Sequence, residues 1–432
     1  MRVIEFNSAS RKELLDKLYT RNPNRLDDYQ DKVNKILADV EKDGDGALFT
    51  YTKKFDGFDL DERSIRVSKE EIEKAYQEID EKFIRIIQKS IANIEDFHQK
   101  QMAKSWIDTK PNGVILGQRV TPLDSVGIYV PGGKAAYPSS LCMCAVPAQI
   151  AGVKRIAAVT PPSADGSIPA ATLVAAKESG VTEIYRIGGA QAIGGLAYGT
   201  KSIQKVDKIV GPGNIYVTMA KKAVYGMVSI DSIAGPSEIL ILADETAVPK
   251  YVAADLLSQA EHDDLALSVL ITTSRKLADR VLYEINEFLE KLSRRKTIQN
   301  SIDHFGYIMV AKSMEEAIDA ANEIAPEHLE IVTKNPWEIM TKIRHAGAIF
   351  LGNYTGEAVG DYFAGPSHVL PTNGTAKFFS PLGTDDFIKK SSIISYSEEA
   401  LKEDADDIIA FANEEGLTAH AASITARKGS QE

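Results

Sequence analysis

The feature that most constrains the fold is a regular alternation of short apolar strands with helix-forming segments, which begins at Asp124. The first series of predicted strands is Ser125–Val130, Arg155–Thr160, Glu183–Ile187 and Lys208–Val210. A second series begins at Gly235 and contains Ile239–Ala243, Leu267–Thr272, Tyr307–Val310, Leu329–Val332 and Ala348–Leu351. This spacing predicts parallel βαβ units, because parallel strands require a long crossover connection.

The segments outside these two series have different patterns. Roughly the first 120 residues show mainly helical periodicity, followed by short predicted strands at Val114–Leu116 and Gln118–Thr121. A long Gly-rich stretch runs from Asn353 to Thr384, and long irregular segments of compact domains are usually functional. The predicted fold is α/β, with two tandem, incomplete Rossmann-like parallel-sheet modules, a helical N-terminal region and a small C-terminal arm.

Length, charge and cysteine content narrow the class of protein. The 432 residues imply several domains, at roughly 100–200 residues each. A net charge of −11 without a Lys/Arg-rich block argues against nucleic-acid binding, and no run approaches the ~20 apolar residues of a membrane span. Met1 to Lys17 lacks a signal-peptide core, and Cys142 and Cys144 are predicted to be buried rather than disulfide-bonded. We therefore predict a cytosolic protein.

Three glycine-containing turns follow predicted strands of the first series. They are Pro131-Gly132-Gly133, Gly188-Gly189-Ala190-Gln191 and Gly211-Pro212-Gly213-Asn214. Each precedes a helix, and a helix N-terminus with nearby glycines favours a phosphate group. None matches the G-x-G-x-x-G fingerprint, and each alone fits a plain tight turn equally well. Three such turns at one edge of a sheet favour a nucleotide site.

The second series contains a possible metal-binding pair, Gln259 and His262. They lie three residues apart on a predicted helix and therefore share a face. A surface or satisfied core histidine is the more common explanation of this spacing alone. His328, Asp361 and nearby histidines add ligands that suit zinc, although a glutamine oxygen is an uncommon zinc ligand.

Glu327 and His328 are a candidate acid–base pair. Neighbouring residues of a regular strand point to opposite faces, so a joint role requires an irregular backbone at this point. A pair on the surface at a helix end is the alternative interpretation.

Ordered motifs along nearly the whole chain resemble the histidinol dehydrogenase family. They are Val126–Gly133, Tyr137–Ser140, Gly188–Ala192, Gly211–Asn214, Ala234–Glu238, Gln259–His262, Ala325–Glu330 and the loop from Gly360 to His368. The resemblance weakens at both ends of the chain. No single motif would suffice, and their shared order carries the resemblance.

The resemblance implies a role for each candidate residue. It implies one zinc ion per subunit, with ligands at Gln259, His262, Asp361 and His420. The same four residues would bind the substrate together with Ser237, His328 and Glu415. Glu327 and His328 would be the catalytic acid–base pair. The expected NAD contacts are Tyr129, Gln191 and Asn214.

The family resemblance also implies a homodimer with shared sites. His420 and Glu415 would come from the partner chain. The expected division is an N-terminal helical arm at 1–30, a substrate and metal domain at 31–124 plus 236–380, an NAD-binding domain at 125–235, and a C-terminal dimerisation arm at 381–432.

The expected reaction is the oxidation of L-histidinol to L-histidine through the aldehyde, with two NAD⁺ in succession. The chain departs from the usual family pattern at Gly356, Ser367 and Asn373, where Pro, Asn and Gly are common. A positive φ at residue 373 would make the Asn there relevant to the backbone. The alternatives are a relative that acts on another amino alcohol, a zinc hydrolase on the same scaffold, and a non-catalytic metabolite-binding protein.

Overall fold

The computed structural model of the protein describes residues 1–21, 27–132 and 137–428. Gly133 of the first predicted turn lies outside these ranges, as do parts of both predicted arms. The described chain divides into two compact units. The first contains residues 1–101 and 123–387, and the second contains residues 102–122 and 388–432.

The first unit contains a six-stranded parallel sheet in the described part of the chain, with strand order β1-β11-β10-β9-β12-β13. Its strands are β1 (Arg2–Glu5), β9 (Glu238–Ala243), β10 (Leu267–Thr272), β11 (Gly306–Val310), β12 (His328–Val332) and β13 (Ala348–Leu351). The four inner strands are buried along their whole length, as expected for a sheet covered on both faces.

A second parallel sheet of the first unit has the order β6-β5-β4-β7-β8 among the described strands. Its strands are β4 (Ser125–Tyr129), β5 (Arg155–Val159), β6 (Glu183–Tyr185), β7 (Lys208–Val210) and β8 (Ser229–Ile230). The chain winds in one direction from β4 to β6 and then continues on the other side of β4. Without β1, the six-stranded sheet follows the same winding, so both predicted α/β modules are confirmed.

Helices of the first unit surround these sheets. They are α1 (Ser8–Thr20), α2 (Asp27–Asp43), α3 (Asp45–Asp56), α4 (Lys69–Glu78), α5 (Glu81–Gln99), α6 (Pro138–Ala151), α7 (Ala170–Glu178), α8 (Gly189–Tyr198), α9 (Ile215–Val224), α10 (Pro249–Ala260), α11 (Arg275–Leu289), α12 (Arg295–Phe305), α13 (Met314–Ile324), α14 (Pro336–Met340) and α15 (Glu357–Val359). No helix in the described ranges is long and apolar enough to span a membrane.

The second unit contains an antiparallel sheet, β14-β3-β2, and two helices. Its elements are β2 (Trp106–Thr109), β3 (Ile115–Pro122), β14 (Ile388–Ser395), α16 (Glu398–Glu414) and α17 (Thr418–Lys428). β3 is one continuous strand, so the prediction of two short strands in this region was wrong. The two segments look separate in the sequence because Gly117 interrupts the apolar pattern.

The strand β1 was not predicted, because residues 1–30 were interpreted as helical. Arg2–Glu5 pairs in parallel with Tyr307–Val310, at one edge of the six-stranded sheet. Four residues are too few to establish an alternating pattern, and the partner strand is distant in sequence. Residues 2–20 therefore contribute one strand and one helix to the first unit.

The turn that follows β7 is held by a buried ion pair between Lys221 and Asp231. Lys221 Nζ also donates to the Gly211 carbonyl at 3.0 Å, and the Gly211 N–H donates to Asp231 Oδ2 at 2.8 Å. Gly211 itself has φ +110°, and a Cβ there would lie 2.2 Å from the Tyr129 carbonyl oxygen. The ion pair and the glycine together fix the backbone in front of Asn214.

We expect Lys221→Met to destabilise the protein by about 3–5 kcal/mol, because it leaves Asp231 charged, buried and without its cation. Urea unfolding, followed by a tertiary-structure signal, measures this effect. Lys222→Met is the matched control, since Lys222 is the exposed neighbour on the same helix. Equal stability of the two variants would contradict this account of the turn.

Candidate functional site

A cavity of about 700 Å³ opens at the carboxyl edge of the five-stranded sheet. Tyr129, Gln191 and Asn214 all line it, so the structure brings the three predicted cofactor-binding residues together. Tyr129 ends β4, where the winding of the sheet changes direction, and ligands of open α/β sheets bind at such a point. The cavity has the position and size of a small-molecule site.

Each of these three side chains has a distinct environment. The Tyr129 hydroxyl accepts a hydrogen bond from the Gly189 N–H at 3.1 Å, and burial raises the pKa of Tyr129 to about 12. Asn214 caps α9 by accepting from the Tyr216 and Val217 N–H groups. Gln191 is buried, and neither polar atom of its amide has a protein partner among the described residues. That amide is free to recognise a ligand.

A second group of candidate site residues lies at the amino edge of the six-stranded sheet. His328 begins β12 and Glu238 begins β9, while Gln259 lies in the last turn of α10. A crossover helix runs opposite to the strands that it connects, so its C-terminal end returns to their beginnings. This position differs from the usual ligand site at the carboxyl ends of strands.

His328 contacts Gln259 and Glu238 through its Nδ1 atom. Gln259 Nε2 and the Glu238 carbonyl oxygen each lie 3.1 Å from Nδ1. An Nδ1–H that donates to the carbonyl leaves Nε2 as the basic nitrogen. Both His328 Nε2 and Gln259 Oε1 are buried without a hydrogen-bond partner in the ranges that the structure describes.

His262, Glu357 and Asp361 form a group able to hold a metal ion. Potential ligand atoms of the three side chains all lie within 4.8 Å of one another. Asp361 belongs to a π-helical turn, Gly360–Ala364, that continues directly from α15. Such turns are frequent at functional sites. Glu357 was not among the predicted site residues.

Asp361 and His328 shift each other's pKa. Burial would raise the pKa of Asp361, but the electrostatic interaction with His328 outweighs it, and the pKa is lowered. Burial would lower the pKa of His328, but the carboxylates of Glu357, Glu327 and Asp361 raise it to about 10. Asp361 Oδ1 lies 3.7 Å from His328 Nε2.

The backbone at Glu327 and His328 is irregular, as a joint role of the two side chains requires. Ala325 has a left-handed backbone with φ +51°, Pro326 follows, and β12 begins only at His328. The irregular approach brings Glu327 Oε2 to 3.8 Å from His328 Nδ1. Both side chains are buried, so the surface-pair interpretation was wrong. Burial raises the pKa of Glu327 to about 8.

Two buried residues that the sequence analysis missed support this pair. The Glu238 N–H donates to Glu327 Oε2 at 2.8 Å. Arg21 lies 3.3 Å from Glu238 Oε1 and donates to the carbonyls of Pro236 and Ser237 at 3.1 Å. A glutamate at the start of the otherwise apolar segment Glu238–Ala243 is a signal that could have indicated a buried charge. No comparable signal marks Arg21.

The remaining predicted residues lie in different surroundings. Ser237 is half-buried in the loop before β9, within the first unit. Glu415 and His420 belong to the second unit, where both are exposed near the turn between α16 and α17. His368, a histidine without an assigned role, lies with Nδ1 2.9 Å from the Asp361 carbonyl and Nε2 3.1 Å from Ser140 Oγ.

The structure shows the surroundings of the three departures from the family pattern. Asn373 has φ +53°, a conformation that glycine adopts more easily, and its N–H donates to Glu238 Oε1 at 3.2 Å. At Gly356, an added Cβ would lie 2.7 Å from Asp255 Oδ1. Ser367 is buried, and its Oγ accepts a hydrogen bond from the Val369 N–H.

Comparison with known proteins places the chain in a family. The sequence profile described as histidinol dehydrogenase matches residues 19–428. A histidinol dehydrogenase of Halalkalibacterium halodurans is 57% identical over 398 residues, which cover 92% of this chain and 93% of the relative. That of Bacillus subtilis is 55% identical over 396 residues, with 92% of each chain covered.

A solved structure shows the same relationship in three dimensions. The crystal structure of histidinol dehydrogenase from Elizabethkingia anophelis matches with a TM-score of 0.92 and 38% sequence identity, covering 99% of this chain and 98% of that chain. The described fold is therefore that of a known oxidoreductase. On sequence and structure together, the chain belongs to the histidinol dehydrogenase family.

Proposed function

We propose that this protein oxidises L-histidinol to L-histidine through the aldehyde, in two successive NAD⁺-dependent steps that complete L-histidine biosynthesis. The observation that carries the proposal is the buried Glu327–His328 pair beside a group of metal-capable side chains. In such a pair, one residue can act as the base of the first oxidation and the other as the base of the second. Family membership supplies the substrate class, and the site supplies groups for the chemistry.

The donor set fits a zinc ion, with one proposed per subunit. Gln259, His262 and Asp361 would hold it from this chain, together with His420 of a partner subunit. The buried Gln259 Oε1, which has no partner in the described ranges, supports this assignment, since such an atom is costly without a ligand. When bound, the metal would orient the substrate's imidazole and amine, and its charge would offset the carboxylates that raise the pKa of His328.

His328 is the proposed base for the alcohol step. Its Nε2 atom accepts the hydroxyl proton while hydride leaves the carbinol carbon for NAD⁺. The Nδ1 contact with the Glu238 carbonyl fixes the ring so that Nε2 faces Asp361. Ser237 of the same chain and Glu415 of a partner subunit are proposed to hold the rest of the substrate.

Glu327 is the proposed base for the aldehyde step. Its carboxylate takes a proton from water as the water oxygen attacks the aldehyde carbon, which gives the anion of the hydrate. A second hydride transfer to NAD⁺ then yields the acid. A thiol route is disfavoured because Cys142 and Cys144 are buried, and burial raises the pKa of both thiols.

The cavity beside Gln191 is the proposed NAD site. Lys32, Lys35 and Lys54 line it together with Tyr129, so cationic side chains are available for the cofactor's diphosphate. The unpartnered Gln191 amide is placed to bind polar groups of the nucleotide. Asn214 caps the N-terminus of α9 and also lines this cavity, so a helix N-terminus lies beside the proposed cofactor site.

The reaction sequence predicts two NADH per L-histidinol consumed, measured by absorbance and product analysis.

Glu327→Gln should retain alcohol oxidation and lose at least about 100-fold in aldehyde oxidation, because it removes the base that activates water. Glu261→Gln, on a partly exposed neighbour of His262, is the control. Equal losses in both steps would contradict the division of roles.

The pH dependence of the aldehyde step follows from the same residue. Glu327 must lose its proton to act as a base, and burial raises its pKa to about 8. The single-turnover rate of aldehyde oxidation should therefore rise with pH and level off above about 8. A rate independent of pH between 6 and 9 would exclude Glu327 as this base.

Subunit mixing tests the proposed shared site. His262→Ala and His420→Ala homodimers should each be inactive and bind metal poorly. A mixed dimer contains one site in which both histidines are intact, provided that they come from different chains. Co-expression with two affinity tags should therefore restore about half of the wild-type activity per purified mixed dimer. Inactive mixed dimers would show that the site is not shared in this way.

A further inference from the structure

We propose that Arg21 is a positioning residue for aldehyde oxidation, which fixes the backbone of residues 236–238 and places a positive charge near Glu327. The inference rests on the proposed function, in which Glu327 is the base of that step. It assigns a role to a buried cation that the proposed mechanism does not use.

The first observation is the burial of Arg21. The residue directly follows α1, and its side chain is only 1% exposed. A buried charge destabilises the fold unless an anion and hydrogen-bond partners surround it, so arginine is almost never fully buried without a partner. The contacts that Arg21 makes at this position therefore identify what it holds in place.

The guanidinium of Arg21 contacts three consecutive residues. Its Nη2 atom donates to the carbonyls of Pro236 and Ser237, each at 3.1 Å. Its Nη1 atom lies 3.3 Å from Glu238 Oε1. The planar, forked guanidinium suits such converging acceptors better than a lysine ammonium, which carries its charge at a single point. Arg21 thereby fixes the segment that leads into β9.

The backbone of Glu238 connects this segment to the proposed catalytic pair. Its N–H donates to Glu327 Oε2 at 2.8 Å, and its carbonyl oxygen lies 3.1 Å from His328 Nδ1. Hydrogen bonds from backbone N–H groups to carboxylates are among the strong ones, so this contact orients the Glu327 side chain. Ser237, the proposed substrate contact, belongs to the same fixed segment.

Charge is the second way in which Arg21 acts on Glu327. Within the described chain, the charged groups that act on this carboxylate are Glu238, Glu357, His328 and Arg21. Burial lowers the pKa of Arg21, and attraction to Glu327 opposes that shift. Because the attraction is mutual, Arg21 favours the ionised form of Glu327. Glu238 has the opposite effect, since its charge raises the pKa of Glu327.

The pH dependence of aldehyde oxidation tests the inference on the full-length, zinc-loaded enzyme in single-turnover experiments. Arg21→Met should move the midpoint of the rate profile upward by at least about half a pH unit, because it removes the cation that favours ionised Glu327. The rate at pH 7 should fall at least about threefold, and the loss should shrink as the pH rises. Arg11→Met, which removes an arginine of α1 that pairs with Glu323 near the surface, is the matched control and should leave the midpoint unchanged.

Glu238→Gln gives the opposite expectation. It removes a charge that raises the pKa of Glu327 but keeps the backbone N–H, so the midpoint should move downward. Arg21→Lys keeps the cation and loses the fork, so its midpoint should stay near that of the wild type while the maximal rate falls. A purely structural role of the buried pair would lower the rate at every pH without shifts in opposite directions.

A double variant keeps the inference testable if Arg21→Met folds poorly. Arg21→Met combined with Glu238→Gln removes both charges of the buried pair, which costs less stability than leaving one charge alone. Its midpoint should lie above that of Glu238→Gln. An unchanged midpoint in Arg21→Met, or in the double variant relative to Glu238→Gln, would overturn the inference. A wild-type rate that does not depend on pH would instead refute the proposed role of Glu327.

Discussion

The hydrogen bond from the Glu238 N–H to the Glu327 carboxylate joins the beginnings of two adjacent parallel strands. The same stretch of β9 provides the carbonyl that orients His328. Glu238 also accepts the N–H of Asn373 and pairs with Arg21, so loops from distant parts of the chain meet at this residue. The proposed catalytic pair therefore depends on the register between β9 and β12, which the apolar residues of both strands fix.

The candidate sites of the two α/β modules lie at opposite edges of their sheets. In the five-stranded sheet, Tyr129 and Gln191 follow the carboxyl ends of strands, where glycines allow close approach to a ligand. In the six-stranded sheet, the site lies at the amino ends, where Gln259 arrives from the end of a crossover helix. The two modules thus share a similar strand order, but one has the cavity proposed to bind NAD and the other has a cluster of acidic and histidine side chains.

The sequence predicts much of this organisation, for identifiable reasons. Long runs of alternating strands and helices predict both parallel sheets, because burial on two faces makes their strands continuously apolar. The edge strand Arg2–Glu5 is too short to produce a pattern, and its pairing partner is distant in sequence. Gln259, His262 and Asp361 were identified through ordered motifs, whereas the surroundings of Glu357 and Arg21 are evident only in the folded chain. Their importance lies in burial and in unpaired atoms, which no sequence spacing expresses.

The pairing of Arg2–Glu5 with Tyr307–Val310 has a consequence for the order in which the protein is assembled during translation. The five-stranded sheet is complete once Ile230 has left the ribosome, so its local contacts can form early. The six-stranded sheet is complete only after Leu351 has been synthesised. Its first strand, Arg2–Glu5, has no pairing partner until Tyr307–Val310 has been synthesised. Non-local contacts of this kind slow folding and leave apolar strands exposed. The nascent chain therefore contains all strands of the five-stranded sheet well before Glu327 and His328, the proposed catalytic pair, have been synthesised.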